Sequence, residues 1–309
     1  MMTGSGPLLV ITGPTASGKT RRAVDVARAV GAEIISADSR QIYRGMDLGT
    51  GKDLDEYGEV PYHLIDIAPA GYKYNLYEYL RDYDRAEALV RSHGRMPLLC
   101  GGTGLYVESV LRGLHLPEVP ADPGLRADLA GKSLEELTAI LAGMKRLHNT
   151  TDVDTPQRAI RAIEIETYYA AHPDAARAAQ PMPRTDAVVV GVDIPRDARR
   201  ARISQRLAAR FAGGMTAEVE KLIADGIAPD DLIYYGLEYK YITLYVTGAI
   251  TQQEMMQGLE TAIHQFAKRQ MTWFRGMERR GHPIHWLPYD MPADDFTAAV
   301  IKLIEDASC

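Results

Sequence analysis

Short apolar runs alternate with amphipathic helical patterns over the first hundred residues, the texture of a parallel sheet wrapped by helices. Leu8–Thr12 (LLVIT) reads as a buried strand running into a glycine-containing loop. Arg21–Val30 then places Ala23, Val24, Ala27 and Val30 on one helical face, with Gly31 as the stop. Further strands are expected at Glu33–Ala37, His63–Ile67 and Met96–Cys100. Between the last two, the spacing of Leu76, Leu80, Tyr83 and Val90 predicts a helix over Leu76–His93. Asn75 and Glu78 form a capping box at its start, and Glu87 is the one break in its apolar stripe.

From Leu116 to about Asp186 the texture changes. Pro117, Pro120, Pro123, Pro156, Pro173, Pro181 and Pro183 bracket two helical stretches, Leu134–Arg146 and Pro156–Ala171. A strand returns at Ala187–Ile194, followed by a long helical region to about Gly281, a β-like run at Ile284–Leu287 and a closing helix over Ala293–Asp306. The expected fold is therefore α/β, a parallel sheet flanked by helices. Its core is expected over residues 1–116 and 187–309, with a helical insertion domain over 117–186.

Composition adds exclusions. With 309 residues, 46% of them hydrophobic and 25% charged, the chain is far from a disordered composition. Lys and Arg number 35 against 41 Asp and Glu, a formal charge of −6, which argues against a wholly basic surface but leaves room for a basic face. No run is long and apolar enough for a membrane span and no basic stretch leads into an apolar one at the N-terminus, so a cytoplasmic protein, probing no membrane, is expected. Cys100 and Cys309 supply neither a disulfide framework nor a cysteine-rich metal site.

The strongest chemical signal is Gly13-Pro14-Thr15-Ala16-Ser17-Gly18-Lys19-Thr20, which fits the phosphate-loop pattern G-x-x-x-x-G-K-[ST] between a strand and a helix. Its backbone N–H groups can curl round a diphosphate at the positive end of the following helix. Lys19 adds a point charge, and the Thr20 hydroxyl is placed for a magnesium ligand. The pattern gives the core a P-loop NTPase-like reading and marks a nucleotide-binding or ATP-binding signature, but any magnesium-bound diphosphate would satisfy it. Because strand C-termini converge in an open parallel sheet, Asp38, Asp66 and Thr103 are expected to open near this loop. Asp38 would hold magnesium, accept a proton from a nucleophile, or simply cap a turn. Asp66 has the same bland alternative, and the Thr103 hydroxyl can donate and accept at once.

Gly13–Thr20, Asp38–Lys52 (DSRQIYRGMDLGTGK), His63–Asp66 (HLID), Gly101–Tyr106 (GGTGLY), Gln157–Glu164 (QRAIRAIE) and Ala267–Arg275 (AKRQMTWFR) resemble, in order and spacing, the tRNA dimethylallyltransferases, or tRNA isopentenyltransferases. The DSRQIYRGMD stretch is far more specific than the phosphate loop. The resemblance implies transfer of a dimethylallyl group from dimethylallyl diphosphate to N6 of the adenosine 3′ of a tRNA anticodon. It implies pyrophosphate and Mg²⁺ at the phosphate loop, Asp38 as general base, and Thr103 and Lys19 as its catalytic companions. It places Asp38, Ser39, Arg40 and Gln41 against the flipped nucleotide, with an Arg40–Asp salt bridge as the structural alternative. It further implies tRNA contacts at Arg126 and at Gln157, Arg158, Ala159, Ile160 and Arg161, so the insertion would contact the anticodon stem-loop; an Arg161–Glu164 pair on a solvated face is the alternative. A monomer is expected.

The chain departs from the family pattern at Tyr235-Gly236-Leu237, where Ile-Gly-Tyr is usual, and at Ile263-His264, where Thr-Arg is common. Both departures are expected on RNA-facing helices and not in the catalytic centre. Arginines 196, 199, 200, 202, 206 and 210 against Asp197 give that stretch a net +5, and Lys268–Arg280 carries a net +4, clusters that suit RNA phosphates or solvated helix faces. At helical spacing Trp273 and Phe274 read as core in preference to a base-stacking platform. A small-molecule kinase, a GTPase switch and a prenyltransferase of free adenine nucleotides share the phosphate loop. The kinase and the switch leave DSRQIYRGMD unexplained, and the basic C-terminal half favours RNA over a free nucleotide.

Overall fold

The computed structural model describes residues 6–147 and 151–307, so Cys309 lies outside the described residues. In chain order the elements are β1 (Leu8–Thr12), α1 (Lys19–Val30), β2 (Ala32–Ser36), β3 (Tyr62–His63), α2 (Leu76–Ser92), β4 (Met96–Gly101) and α3 (Gly104–Leu111). Four helices follow: α4 (Pro123–Leu129), α5 (Leu134–Met144), α6 (Pro156–Ala171) and α7 (Pro173–Ala178). The chain then returns through β5 (Ala187–Asp193) to α8 (Arg196–Ala212), α9 (Met215–Ala224), α10 (Pro229–Tyr234), α11 (Leu237–Val246) and α12 (Gln252–Arg279). It closes with β6 (His285–Pro288) and α13 (Ala293–Ala307).

The six strands form one parallel sheet in the order β3-β2-β4-β1-β5-β6. Its interior strands are apolar on both faces, as a sheet covered on both sides requires. Leu9, Ile11, Ile34, Leu98 and Cys100 meet α1 and α13 through Ala23, Ala27, Phe296 and Val300, while Leu8, Val10, Ile35 and Leu99 point the other way and are equally buried. Burial pushes the Cys100 thiol up to about 12, which leaves it an inert apolar side chain.

Helix α2 starts with the expected Asn75–Glu78 capping box. The break in its stripe is neutralised: Glu87 is buried, but Arg184 donates to it at 2.6 and 2.8 Å and Arg91 at 2.8 and 2.9 Å. Burial would raise the Glu87 carboxyl, and these guanidinium groups outweigh it and hold it below its ordinary value. Two expectations change. The strand at His63–Ile67 is only Tyr62–His63, because Leu64 and Asp66 take left-handed backbone conformations (φ 62° and 58°) that no strand accommodates. The single long helical region divides into five helices, broken at Gly213–Gly214, Gly226, Gly236 and Gly248. Among the described residues no helix is long and apolar enough to cross a membrane.

The insertion is a compact unit of its own, Gly113–Pro183. Its core is Leu129, Leu137, Leu141, Ala159, Ala162 and Ile163, and side-chain caps at Asp122, Ser133 and Thr155 start α4, α5 and α6. The sequence pattern predicts α5 and α6; α4 and α7 are too short for a periodic signal. At the centre of the unit lies Glu164, 2% exposed, which accepts from Arg126 at 2.9 Å through both oxygens, from the Asp122 backbone N–H at 2.6 Å and from Arg161. Burial alone would raise this carboxyl, but its donors bring it from an ordinary 4.5 down to about 2.

A carboxyl lowered in this way stabilises the fold above its unfolded value and loses that contribution as pH falls. Wild-type stability should therefore decline between pH 4.5 and about 2 through Glu164, and Glu164→Gln should lack that part of the decline. Urea unfolding at neutral pH should show the variant less stable by about 1–3 kcal/mol, the cost of leaving buried donors poorly paired. Equal acid sensitivity in the two proteins would remove Glu164 from this role.

Candidate active site

Because β4 lies between β1 and β2, the loops that leave these three strands emerge side by side. Backbone bonds from Ala37 N–H to Cys100 (2.8 Å) and from Thr103 N–H to Ala37 (3.1 Å) lock the loops after β2 and β4 together. Gly101 allows this, since a Cβ there would sit 2.2 Å from the Ala37 carbonyl oxygen. The phosphate loop enters α1 through Gly18 at φ 87°, a left-handed conformation that suits glycine. The buried Ser17 Oγ has no hydrogen-bond partner.

These loops open into a cavity of about 570 Å³, within the size range of small-ligand pockets. Thr15, Lys19, Thr20, Asp38, Ser39, Arg40, Gln41 and Thr103 all line it, so the three strand-end groups named from sequence are reduced to two by the structure. Asp66 is the exception. Its left-handed backbone turns it away, and Lys52, itself buried and also bound to Asp47 at 2.6 Å, takes its carboxylate in an ion pair.

Asp38 both caps a turn and faces the cavity, its Oδ1 accepting the Arg40 backbone N–H at 2.9 Å. The Thr103 hydroxyl accepts the Ser39 N–H at 3.0 Å and donates to Ser39 Oγ at 3.3 Å, which fixes the turn that carries Asp38. Gln41 is buried, its amide donating to the Gly51 carbonyl at 3.1 Å and its carbonyl accepting from Ser36 at 3.2 Å. Burial holds the Lys19 ammonium below its ordinary value; Asp38 opposes that shift, while Arg206 and Arg210 add to it. Burial also lowers Arg210 and raises the second cavity carboxyl, Glu238.

Several lining residues were not singled out from the sequence. Gln270 is buried and bridges two walls: its carbonyl accepts the Thr15 backbone N–H at 2.8 Å and its amide donates to the Gly102 carbonyl at 2.8 Å. It falls in the AKRQ motif, where only its charged neighbours drew attention. Arg206 and Arg210 belong to the arginine-rich stretch read as an outer face, yet they line the cavity and share Asp53 at 2.7 and 3.6 Å. Trp273, expected in the core with Phe274, separates from it: Phe274 is fully buried, whereas Trp273 is 40% exposed at the cavity wall. The departures at Tyr235, Gly236, Leu237 and Ile263 likewise fall in this wall and not on a remote helix face, because α11 and α12 close the cavity.

The insertion's predicted residues form no part of this cavity. Arg126 and Arg161 are tied to Glu164, and Arg158 pairs with Asp154 at 2.6 Å. Ala159 is wholly buried in the insertion core and so presents no side chain to a ligand, Ile160 packs beside it, and Gln157 is exposed. Among the described residues no group of three or more His, Cys, Asp or Glu forms a metal cage.

A family model described as IPP transferase matches residues 41–277, and one described as isopentenyl transferase matches residues 6–59. The chain is 60% identical over 292 residues to tRNA dimethylallyltransferase 2 of Bacteroides fragilis, covering 93% of this chain and 94% of that protein. It is 58% identical over 300 residues to tRNA dimethylallyltransferase 1 of Porphyromonas gingivalis, covering 96% and 98%. Among solved structures it resembles the tRNA isopentenylpyrophosphate transferase of Bacillus halodurans with a TM-score of 0.72 at 29% identity, over 98% of each chain. It also shares the fold of a eukaryotic dimethylallyltransferase, with a TM-score of 0.81 at 18% identity over 97% of this chain and 78% of the other. A phosphate loop and a carboxylate-bearing turn opening into one cavity, on a chain so closely matched from end to end, place this protein in the tRNA dimethylallyltransferase family of prenyltransferases.

Proposed function

We propose that this protein transfers a dimethylallyl group from dimethylallyl diphosphate to N6 of the adenosine 3′ of the anticodon in tRNA. The observation that carries the reading is the shared cavity, which Lys19, Thr20 and Asp38 line together with the apolar Leu237, Ile263 and Phe266. The phosphate loop then holds a leaving group. As the allylic C–O bond breaks, charge grows on the departing pyrophosphate, where Lys19, Arg206 and Arg210 oppose it in a half-buried site. The C–N6 bond forms as Asp38 accepts the proton released from N6. Thr103 acts by fixing the Ser39 turn, and so the direction from which Asp38 reaches the base. The apolar wall suits the five-carbon chain and keeps water from the developing cation.

The Thr20 hydroxyl is a hard oxygen donor lining the cavity beside Lys19, which fits Mg²⁺ held chiefly by substrate phosphates and not caged by protein alone. When bound, the ion would supply further charge neutralisation at the diphosphate. Adenine inside an anticodon loop has to leave its stack to reach Asp38, which agrees with single-strand recognition. Arg158, exposed and paired among the described residues with Asp154, is free of the buried carboxylate and suits an RNA phosphate, while Arg126 and Arg161 meet RNA only while also holding Glu164.

Asp38→Asn should retain diphosphate binding and lower transfer by a factor of roughly 10²–10⁴, the usual effect of removing a general base. The check is nuclease digestion and mass analysis of a transcript treated with dimethylallyl diphosphate and Mg²⁺; wild-type turnover by the variant would reject Asp38 as the base. Arg158→Gln should weaken tRNA binding and reduce the slope of log affinity against log salt by about 1. Titration at several salt concentrations reads this directly, and an unchanged slope would mean that Arg158 faces only water.

A further inference from the structure

The cavity has two anchors. Gln270 fastens the phosphate-loop wall, and a second wall, formed by Gly49, Thr50 and Gly51, is fastened by a residue that does not itself line the cavity. Glu218 on α9 accepts three consecutive backbone N–H groups, those of Asp47 at 2.9 Å, Leu48 at 2.7 Å and Gly49 at 3.1 Å, and also the Tyr239 hydroxyl at 2.6 Å. Both carboxylate oxygens are engaged, in the manner of an anion in a backbone nest. The Tyr239 ring from α11 lies against Gly49, in the space a Cβ would occupy.

We infer that Glu218 is a positioning residue that sets the nucleotide side of the cavity. The route from it is short. The loop it holds ends at the Gly51 carbonyl, that carbonyl accepts the Gln41 amide, and Gln41 lies in the same turn as Asp38. The far end of the loop is drawn to α8 by the Asp53 pairs with Arg206 and Arg210. Loss of the Glu218 carboxylate frees three backbone donors at once and lets the loop drift from Gln41. The phosphate loop, tied separately through Gln270, stays in place. Glu218 therefore governs how the acceptor base meets Asp38 and leaves diphosphate binding alone. This inference rests on the proposed reaction for the identity of the acceptor.

Glu218→Gln keeps the side-chain length but turns an N–H₂ towards backbone N–H groups. Amide hydrogen exchange over residues 47–51 should accelerate by about tenfold or more, as expected for a locally released segment. Transfer should fall by roughly 10–10², the effect of a misplaced acceptor, with a raised KM for an unmodified tRNA transcript and an unchanged affinity and stoichiometry for inorganic diphosphate. Tyr239→Phe, which removes one of the four bonds and keeps the ring on Gly49, should show the same pattern in smaller measure. Unchanged exchange at 47–51, an unchanged KM for the transcript, or loss of diphosphate binding in step with activity would each overturn the role. If the wild-type protein does not prenylate the transcript, the reaction fails instead, and exchange together with the inorganic diphosphate affinity decides whether Glu218 fastens this wall.

Discussion

The position of β4 between β1 and β2 is the constraint on which the cavity depends, because it brings three loops to one edge of the sheet at the separation of neighbouring strands. The contact of Gly101 with the Ala37 backbone then draws the Thr103 and Asp38 turns together. No side chain at position 101 could replace it without moving Ala37. Without this neighbour the phosphate loop and the Asp38 carboxylate would not open into one cavity.

Around that junction the charge is arranged unevenly. Lys19, Arg206 and Arg210 face Asp38 and Glu238 across a half-buried space, and burial lowers the first and third of these cations while raising Glu238. Arginine nevertheless stays charged, so the site keeps positive charge that suits an anionic group. The separate anchors, Gln270 on one wall and Glu218 behind another, hold two parts of the cavity lining independently.

The helical insertion solves a different problem. It is small, with a core of six buried apolar side chains, and it places a buried carboxylate under two arginines, both expected at RNA and only Arg161 with a salt bridge to Glu164 as the alternative. The structure shows them holding Glu164, with the outward parts of the same guanidinium groups still half exposed. A residue of this kind serves stability and a surface at once, whereas Ala159 in the same motif serves only the core.

Much of the site was legible in the chain itself, since local chemistry decides it. The phosphate loop needs its glycines and lysine in one contiguous stretch, the parallel strands need unbroken apolar runs, and α2 needs Asn75 and Glu78 three residues apart. Asp38 and Thr103 followed from the rule that parallel strand ends converge. Asp66 did not obey that rule, because a left-handed backbone and a buried lysine turned it aside. Whether Arg206 and Arg210 look outward, whether Trp273 is core or wall, and which carboxylate holds the loop at 47–49 all depend on how α8, α9, α11 and α12 pack. The sequence by itself determined the elements and the glycine-rich loop of the phosphate-loop pattern, because those follow from neighbours along the chain; only the tertiary structure decided what closes round them, because that depends on residues such as Glu218 and Gln270 meeting loops roughly 170 and 255 positions away.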